Sequence, residues 1–374
     1  MTVYWIISYI ILIFCAFELF SIKQLNDTKV RHFLNWCFFV AAIILVFFGG
    51  MRGASSGIDD GQYVAFYHDF AAQLHISDYD SITDIYRYEK LFMLLAWVLS
   101  FFTSQSYYFL FFVCVVAVST NAYCYKKYSP LILCSLCLYS AHLFINKDMN
   151  QIRFGLCSAF AVASLCTAAN RKYLWSLVFF IFSTQSHSTG WTLLLILPFL
   201  FIREMKYLGI IMILVAIPLG IIGGKKLFLD SFGLVPVLGD RAMDYSGTAF
   251  DTNTPVFSLG NFKNIGFVVF FTLYYFKEGI KEDERLVYIL LIAYSIGAAV
   301  RITFSDFGIF GGRVGNLFLH TEPLLLAFLL KRLRNPLLTF GILAAMTTYY
   351  LAYNTILSVQ SILGYSVAPL FKIF

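Results

Sequence analysis

Charge is what this sequence has least of: Asp, Glu, Lys and Arg make up 13% of its 374 residues, against about 25% in an ordinary soluble domain. A water-facing surface over most of the chain is thereby excluded. Walker-type loops, the Rossmann fingerprint, HExxH and GxSxG are all missing, which removes the sequence grounds for nucleotide-driven transport and zinc proteolysis. No internal repeat or low-complexity tract occurs. The first apolar run lacks the basic start and small-residue cleavage site of a removable signal peptide, and it is too long for one, so it is expected to stay as an anchor. The eight cysteines all lie in or beside apolar runs. Cys134 and Cys137 form a CxxC without a second ligand pair, which reads as two buried thiols rather than a metal or redox centre.

What the chain has instead is apolar length. Hydrophobic residues make up 60% of it, and a spanning helix needs about 20 such residues to cross a hydrocarbon layer of about 30 Å. Apolar segments fall at 4–22, 33–51, 91–102, 107–125, 131–145, 152–169, 173–184, 189–202, 207–223, 265–276, 286–300, 317–330 and 337–357. The fold class is therefore an all-α polytopic membrane protein with about 11–13 hydrophobic segments, several too short to cross untilted. Residues 1–374 read as a single integral membrane domain.

The formal charge of +6 does not point to nucleic acid, because Lys and Arg sit in short clusters between apolar runs rather than on one face. They act as topology determinants. The clusters Lys23/Lys29/Arg31, Lys126/Lys127, Arg171/Lys172, Arg203/Lys206, Lys277/Lys281 and Lys331/Arg332/Arg334 form the inside set. Two long polar segments, 52–88 and 224–264, then face outside. The first holds six aspartates, Asp59, Asp60, Asp69, Asp78, Asp80 and Asp84, among Tyr and His; the second holds Asp230, Asp240, Arg241, Asp244 and Asp251. Loops of such length are functional more often than they are plain connectors. Parity requires that one segment between 89 and 125 be partial, and the short run 91–102 is expected to be a re-entrant or interfacial helix; the alternative is that 52–88 is cytoplasmic, with the N-terminus also inside.

Ionisable residues near span ends, outside the inside clusters, are the candidates for chemistry. Arg52 ends an apolar run. Arg153 opens another, after the polar stretch 146–151. Arg301 and Arg313 bracket 302–312, expected to be an exterior Gly- and Phe-rich loop. One such arginine can simply snorkel or pair with an Asp, but four expected at one face suit phosphate oxygens, which a guanidinium binds as a planar fork that never loses its charge. His187, at a predicted helix end, suits a general base, with Asp59, Asp60 and Glu89 as carboxylate candidates. Tyr63 and Tyr67, one helical turn apart, are the candidate platforms for a sugar ring.

The order of these features resembles a known family. Arg52 followed by Gly57-x-Asp59-x3-Tyr63 looks like the segment after the second span of EpsG-type proteins, which group with Wzy O-antigen and capsule polymerases. Glu89-Lys90-Leu91-Phe92, Gln151-Ile152-Arg153-Phe154, the turn at His187 and Gly312-Arg313 resemble that family's later motifs in order. Asp60, Lys90 and Phe154 depart from it.

The resemblance implies the all-helical architecture of lipid-dependent glycosyltransferases in the bacterial cytoplasmic membrane, with an active site on the outer, periplasmic face. It further implies transfer of a growing glycan from undecaprenyl diphosphate to a sugar hydroxyl of another undecaprenyl-diphosphate-linked repeat unit. Arg153 and Arg313 would hold diphosphate with Arg52 and Arg301 assisting, His187 would be the base, and Asp59 and Glu89 would orient; no metal or cofactor is called for. A chain-length regulator and a flippase of the same pathway are the implied protein partners. Two alternatives are an O-antigen ligase or other polyprenyl-linked glycosyltransferase, and a transporter of lipid-linked glycan. A transporter would be expected to carry mid-span charges and paired broken helices in related halves, which the sequence does not display.

Overall fold

A computed structural model describes residues 1–24, 27–73, 86, 88–225, 253–281, 284–333, 335–357 and 364–372. The aspartates Asp78, Asp80, Asp84, Asp230, Asp240, Asp244 and Asp251, with Arg241 and Arg334, lie outside these residues. The chain is all-α. Its helices are α1 (Thr2–Phe20), α2 (Thr28–Gly50), α3 (Asp60–Gln73), α4 (Lys90–Ser100), α5 (Ser106–Tyr128), α6 (Ile132–Ala141), α7 (Ile152–Ala169), α8 (Tyr173–Ser186), α9 (Leu197–Phe201), α10 (Leu208–Ile222), α11 (Leu259–Tyr275), α12 (Arg285–Thr303), α13 (Gly308–Leu319), α14 (Glu322–Arg332) and α15 (Pro336–Ala352). Among the described residues, six helices are long and apolar enough to cross a membrane: α1, α2, α5, α7, α12 and α15 with its continuation to Leu357. The chain is a multi-pass membrane protein.

The chain divides into two compact units. The first is Met1–Ser164, Leu177–Gly190 and Leu326–Phe374; the second is Leu165–Ser176 and Trp191–Leu325. In the first, α1 packs on α6 and α15, while α2 packs on α5. Glu18 of α1, buried in an otherwise apolar helix, accepts the Leu133 and Cys134 N–H groups, both at 3.0 Å. It thereby satisfies donors that the first turn of α6 cannot satisfy internally. The side chains of α3, α4 and α5 form an aromatic cluster around Phe66, Tyr67, Phe92 and Phe109. At eleven residues, α4 is about 16 Å long, roughly half a hydrocarbon core, in keeping with the partial segment expected at 91–102.

The loop between α2 and α3 is held by a buried ion pair. Arg52 and Asp60 are both fully buried; Arg52 Nε donates to both Asp60 oxygens at 3.1 and 2.9 Å, and Nη2 donates to Oδ1 at 2.9 Å. Arg52 Nη1 donates to the Gly49 carbonyl, and Asp60 Oδ2 accepts the Gly57 N–H at 2.7 Å. Gly57 is obligatory in packing terms, since a Cβ there would collide with the Met149 carbonyl. A strap formed by residues 364–372 closes over this loop. Arg52 bridges Val367, Gly53 N–H donates to Ser366 O at 2.8 Å, Ala368 N–H donates to Met51 O at 2.9 Å, and the Tyr365 ring stacks on Phe48 at 4.4 Å.

In the second unit, α12 packs on α10, α11 and α13. The α12–α13 approach is close because Gly297 meets the Gly315 carbonyl and Gly315 meets the aliphatic stem of Arg301.

Three sequence expectations are corrected. The stretch 302–312 is not all loop, because α13 begins at Gly308. The run 317–330 is two helices broken at His320–Thr321, where both side chains are buried and Thr321 Oγ1 donates to the Leu290 and Phe318 carbonyls. The run 131–145 is likewise interrupted after Ala141 by a π-turn, Phe144–Asp148. In the polar stretch after it, Lys147, Asp148 and Asn150 are buried within the protein.

Removing one member of a buried ion pair strands the other. Arg52→Ala is therefore expected to destabilise the protein by about 3–5 kcal/mol, and Arg52→Ala/Asp60→Ala by clearly less than the sum of the single changes, as read by thermal unfolding in detergent. The orientation expected from the basic clusters is testable at two exposed positions of the first unit: in a Cys-free background, Ser55→Cys should react with an impermeant thiol reagent on intact cells and Lys127→Cys should not.

Candidate functional site

Arg153 sits in the first turn of α7, and Glu89 is the N-cap of α4, sixty-four residues earlier in the chain. They meet in the first unit: Arg153 Nη1 donates to Glu89 Oε2 at 2.8 Å, with the two side chains 22% and 9% exposed. The other Glu89 oxygen, Oε1, accepts the Ser188 N–H at 2.9 Å, at the start of the 3₁₀ helix Ser188–Ile196. The guanidinium lies over the Tyr88 ring, 4.1 Å from its centroid, a cation–π contact that holds its plane. Arg153 Nε–H is buried without a hydrogen-bond partner.

Burial works to raise the Glu89 carboxyl, but the electrostatic pull of His187, the Arg153 charge and the Ser188 N–H outweigh it and hold the group below its ordinary value. Burial pushes the Tyr63 hydroxyl up to about 12 against the opposing pull of Arg153, with Asp59 adding to the rise. It raises Tyr88 as well. Asp59, half-buried, is thus an electrostatic neighbour of this group, and its backbone N–H donates to Asn150 Oδ1 at 3.2 Å.

His187 is buried beside Phe154, edge to face at 5.6 Å. Its Nδ1 accepts the Thr189 N–H at 3.1 Å and also contacts Thr189 Oγ1. A backbone N–H can only donate, so Nδ1 is the unprotonated nitrogen and the neutral ring carries its proton on Nε2. The histidine therefore presents Nε2–H as a donor.

The first unit thus brings together Glu89, Arg153, His187, Tyr63 and Asp59. Arg52 stands apart, with its guanidinium committed to Asp60 and the Gly49 carbonyl. Tyr67 is fully buried against Phe109 at 4.9 Å and donates to the Thr103 carbonyl at 2.7 Å, so it serves the core rather than a sugar face.

In the second unit, Arg301 Nη1 donates to Asn316 Oδ1 at 2.7 Å. Arg313 is one helical turn before Asn316 on α13 and shares its face. Arg301 lines a small cleft with Thr254, Asn261, Phe304 and Ser305. The same unit holds a buried polar network that the sequence did not announce: Lys263 pairs with Glu322 at 2.9 Å, and the Tyr294 hydroxyl lies 2.9 Å from both Glu322 Oε2 and Asn264 Oδ1.

Sequence reasoning also missed Tyr88, Ser188, Thr189 and Asn150. Only Tyr88, an aromatic next to a candidate carboxylate, carried a usable signal.

A family model described as the EpsG family matches residues 35–367. The amylovoran biosynthesis protein AmsC of Erwinia amylovora is 66% identical over 374 residues, the full length of both chains. No solved structure matches the chain.

Because the Glu89 carboxyl is lowered from its ordinary value of 4.5 in the folded protein, the stability it contributes is complete above that value and is lost as pH falls through the lowered folded value. Glu89→Gln should therefore flatten this part of the acid limb when the unfolding midpoint is followed from pH 6 down to about pH 3; an acid limb identical to that of the parent protein would show that the pair adds nothing.

Proposed function

The chain belongs to the EpsG family, and on that footing we propose that it polymerises the repeat units of an extracellular polysaccharide. The growing glycan passes from undecaprenyl diphosphate to a non-reducing-end hydroxyl of an undecaprenyl-diphosphate-linked repeat unit, at the outer face of the cytoplasmic membrane. Supporting this reading are the relative's part in amylovoran biosynthesis, the multi-pass helical architecture, and above all the half-buried Arg153, a guanidinium that shares an anion with the Ser188 N–H beside His187. The family groups with O-antigen polymerases, whereas the relative's part in amylovoran biosynthesis favours an exopolysaccharide.

In the reaction the anomeric C–O bond to the diphosphate breaks, with its electron pair staying on the phosphate oxygen. The acceptor hydroxyl oxygen bonds to the anomeric carbon, and its proton is released. Arg153 stabilises the negative charge that grows on the departing diphosphate, as fixed donors do best in a water-poor site. His187 donates from Nε2 to the same group of oxygens. Asp59, the half-buried carboxylate of the cluster, takes the acceptor proton, and Tyr63 lies beside the sugar. Two lipid-linked substrates carry two diphosphates, so the second unit's Arg301 and Arg313 are assigned phosphate oxygens in their own right.

Arg153→Ala and Arg313→Ala, each returned to a deletion strain, are expected to lower polymer yield by about 100-fold or more and to leave single repeats on the lipid carrier. Full polymer from both variants would sink the assignment. Repeats of altered composition would identify a side-sugar transferase instead. Polymer made by the purified protein from lipid-linked repeats alone would exclude transport as its sole activity.

A further inference from the structure

Glu89 already receives what an anionic substrate oxygen would seek. Its two carboxylate oxygens accept a guanidinium N–H at 2.8 Å and a backbone N–H at the head of a helical turn at 2.9 Å, the two kinds of donor that bind phosphate oxygens most strongly. Arg153 does not depend on Glu89 alone for its position, since the Tyr88 ring lies 4.1 Å beneath it. Its buried Nε–H, which has no hydrogen-bond partner, is a further donor. The carboxylate neutralises Arg153. Were it to stay in place while a diphosphate approached, like charges would be set side by side next to one guanidinium, at a cost in affinity.

We propose that Glu89 is an internal placeholder, its carboxylate occupying in the resting protein the seat that a diphosphate oxygen takes when substrate binds, and leaving that seat as the substrate arrives. The identity of the incoming anion rests on the polymerase reading; the seat itself rests on the geometry of Arg153, Ser188 and Tyr88. Glu89 on this view sets the affinity threshold of the site. An anion with one weak contact does not displace a carboxylate held by two donors, whereas a diphosphate that engages several donors does. The resting site is thus shielded from stray anions of the surroundings without a moving lid.

The test is the binding of inorganic pyrophosphate to the purified full-length protein in detergent, followed by calorimetry. Glu89→Gln keeps the shape and removes the charge, and is expected to bind pyrophosphate roughly tenfold more tightly than the parent, the equivalent of one unit of charge coupling. Glu89→Ala should shift in the same direction, and adding Arg153→Ala to Glu89→Gln should abolish the gain. Unchanged or weaker binding in both Glu89 variants would overturn the proposal and leave Glu89 as a brace for Arg153. The two readings fail separately. Tighter pyrophosphate binding in Glu89→Gln, together with normal polymer in cells carrying Arg153→Ala, keeps the placeholder and removes the polymerase role of Arg153. Weaker binding in Glu89→Gln with polymer lost in Arg153→Ala does the reverse.

Discussion

The first unit depends on an ion pair from which water is wholly excluded. Burying Arg52 and Asp60 costs several kcal/mol of solvation per ion, and the attraction between them offsets that only when the remaining polar atoms are also satisfied. Here they are: three contacts join the two side chains, the Gly49 carbonyl takes another guanidinium N–H, and the Gly57 N–H reaches the second carboxylate oxygen. The pair therefore acts less as a source of net stability than as a constraint that admits one loop conformation. That conformation starts α3 at Asp60, sets Tyr63 one turn into the helix, and brings Asp59 onto Asn150, just ahead of Arg153. Arg52, a substrate-ligand candidate in the sequence, thus sets where the neighbouring candidates stand.

Most of the spanning helices were legible because a bilayer leaves no other use for runs of about twenty apolar residues. The short α4 was legible for the complementary reason, that too few apolar residues were present to cross. Interruptions within apolar runs were not legible. The break at His320–Thr321 and the π-turn at Phe144–Asp148 both lie among residues that read as continuous hydrophobic sequence or as a polar connector. Each interruption is accompanied by buried hydrogen bonds beyond the regular helical ladder, Thr321 to Leu290 in one and Tyr139 to Asp148 in the other. Hydropathy registers the cost of leaving water and says nothing about which distant carbonyl satisfies a buried hydroxyl.

The candidate site divides in the same way. Glu89, Arg153 and His187 were identifiable one at a time, because charged residues at the ends of apolar runs are rare and costly. Their pairing was not, since nothing local ties Glu89 to Arg153 or to Ser188 across such separations. The tautomer of His187 depended on a smaller detail still, the Thr189 N–H that occupies Nδ1 and thereby decides which nitrogen carries the proton. The family resemblance supplied order and identity of motifs; the geometry supplied which oxygen faces which donor.

The strap at residues 364–372 fixes an order of events during synthesis. Ser366 completes a loop that left the ribosome about 310 residues earlier, and the whole second unit is encoded between them. Until the strap emerges, the Arg52 loop lacks the partners for its Gly53 N–H and its Met51 carbonyl. A nascent chain stalled anywhere in the second unit thus holds the Arg52–Asp60 pair but not the strap that closes over their loop. Closure of that loop is tied to synthesis of residues 364–372.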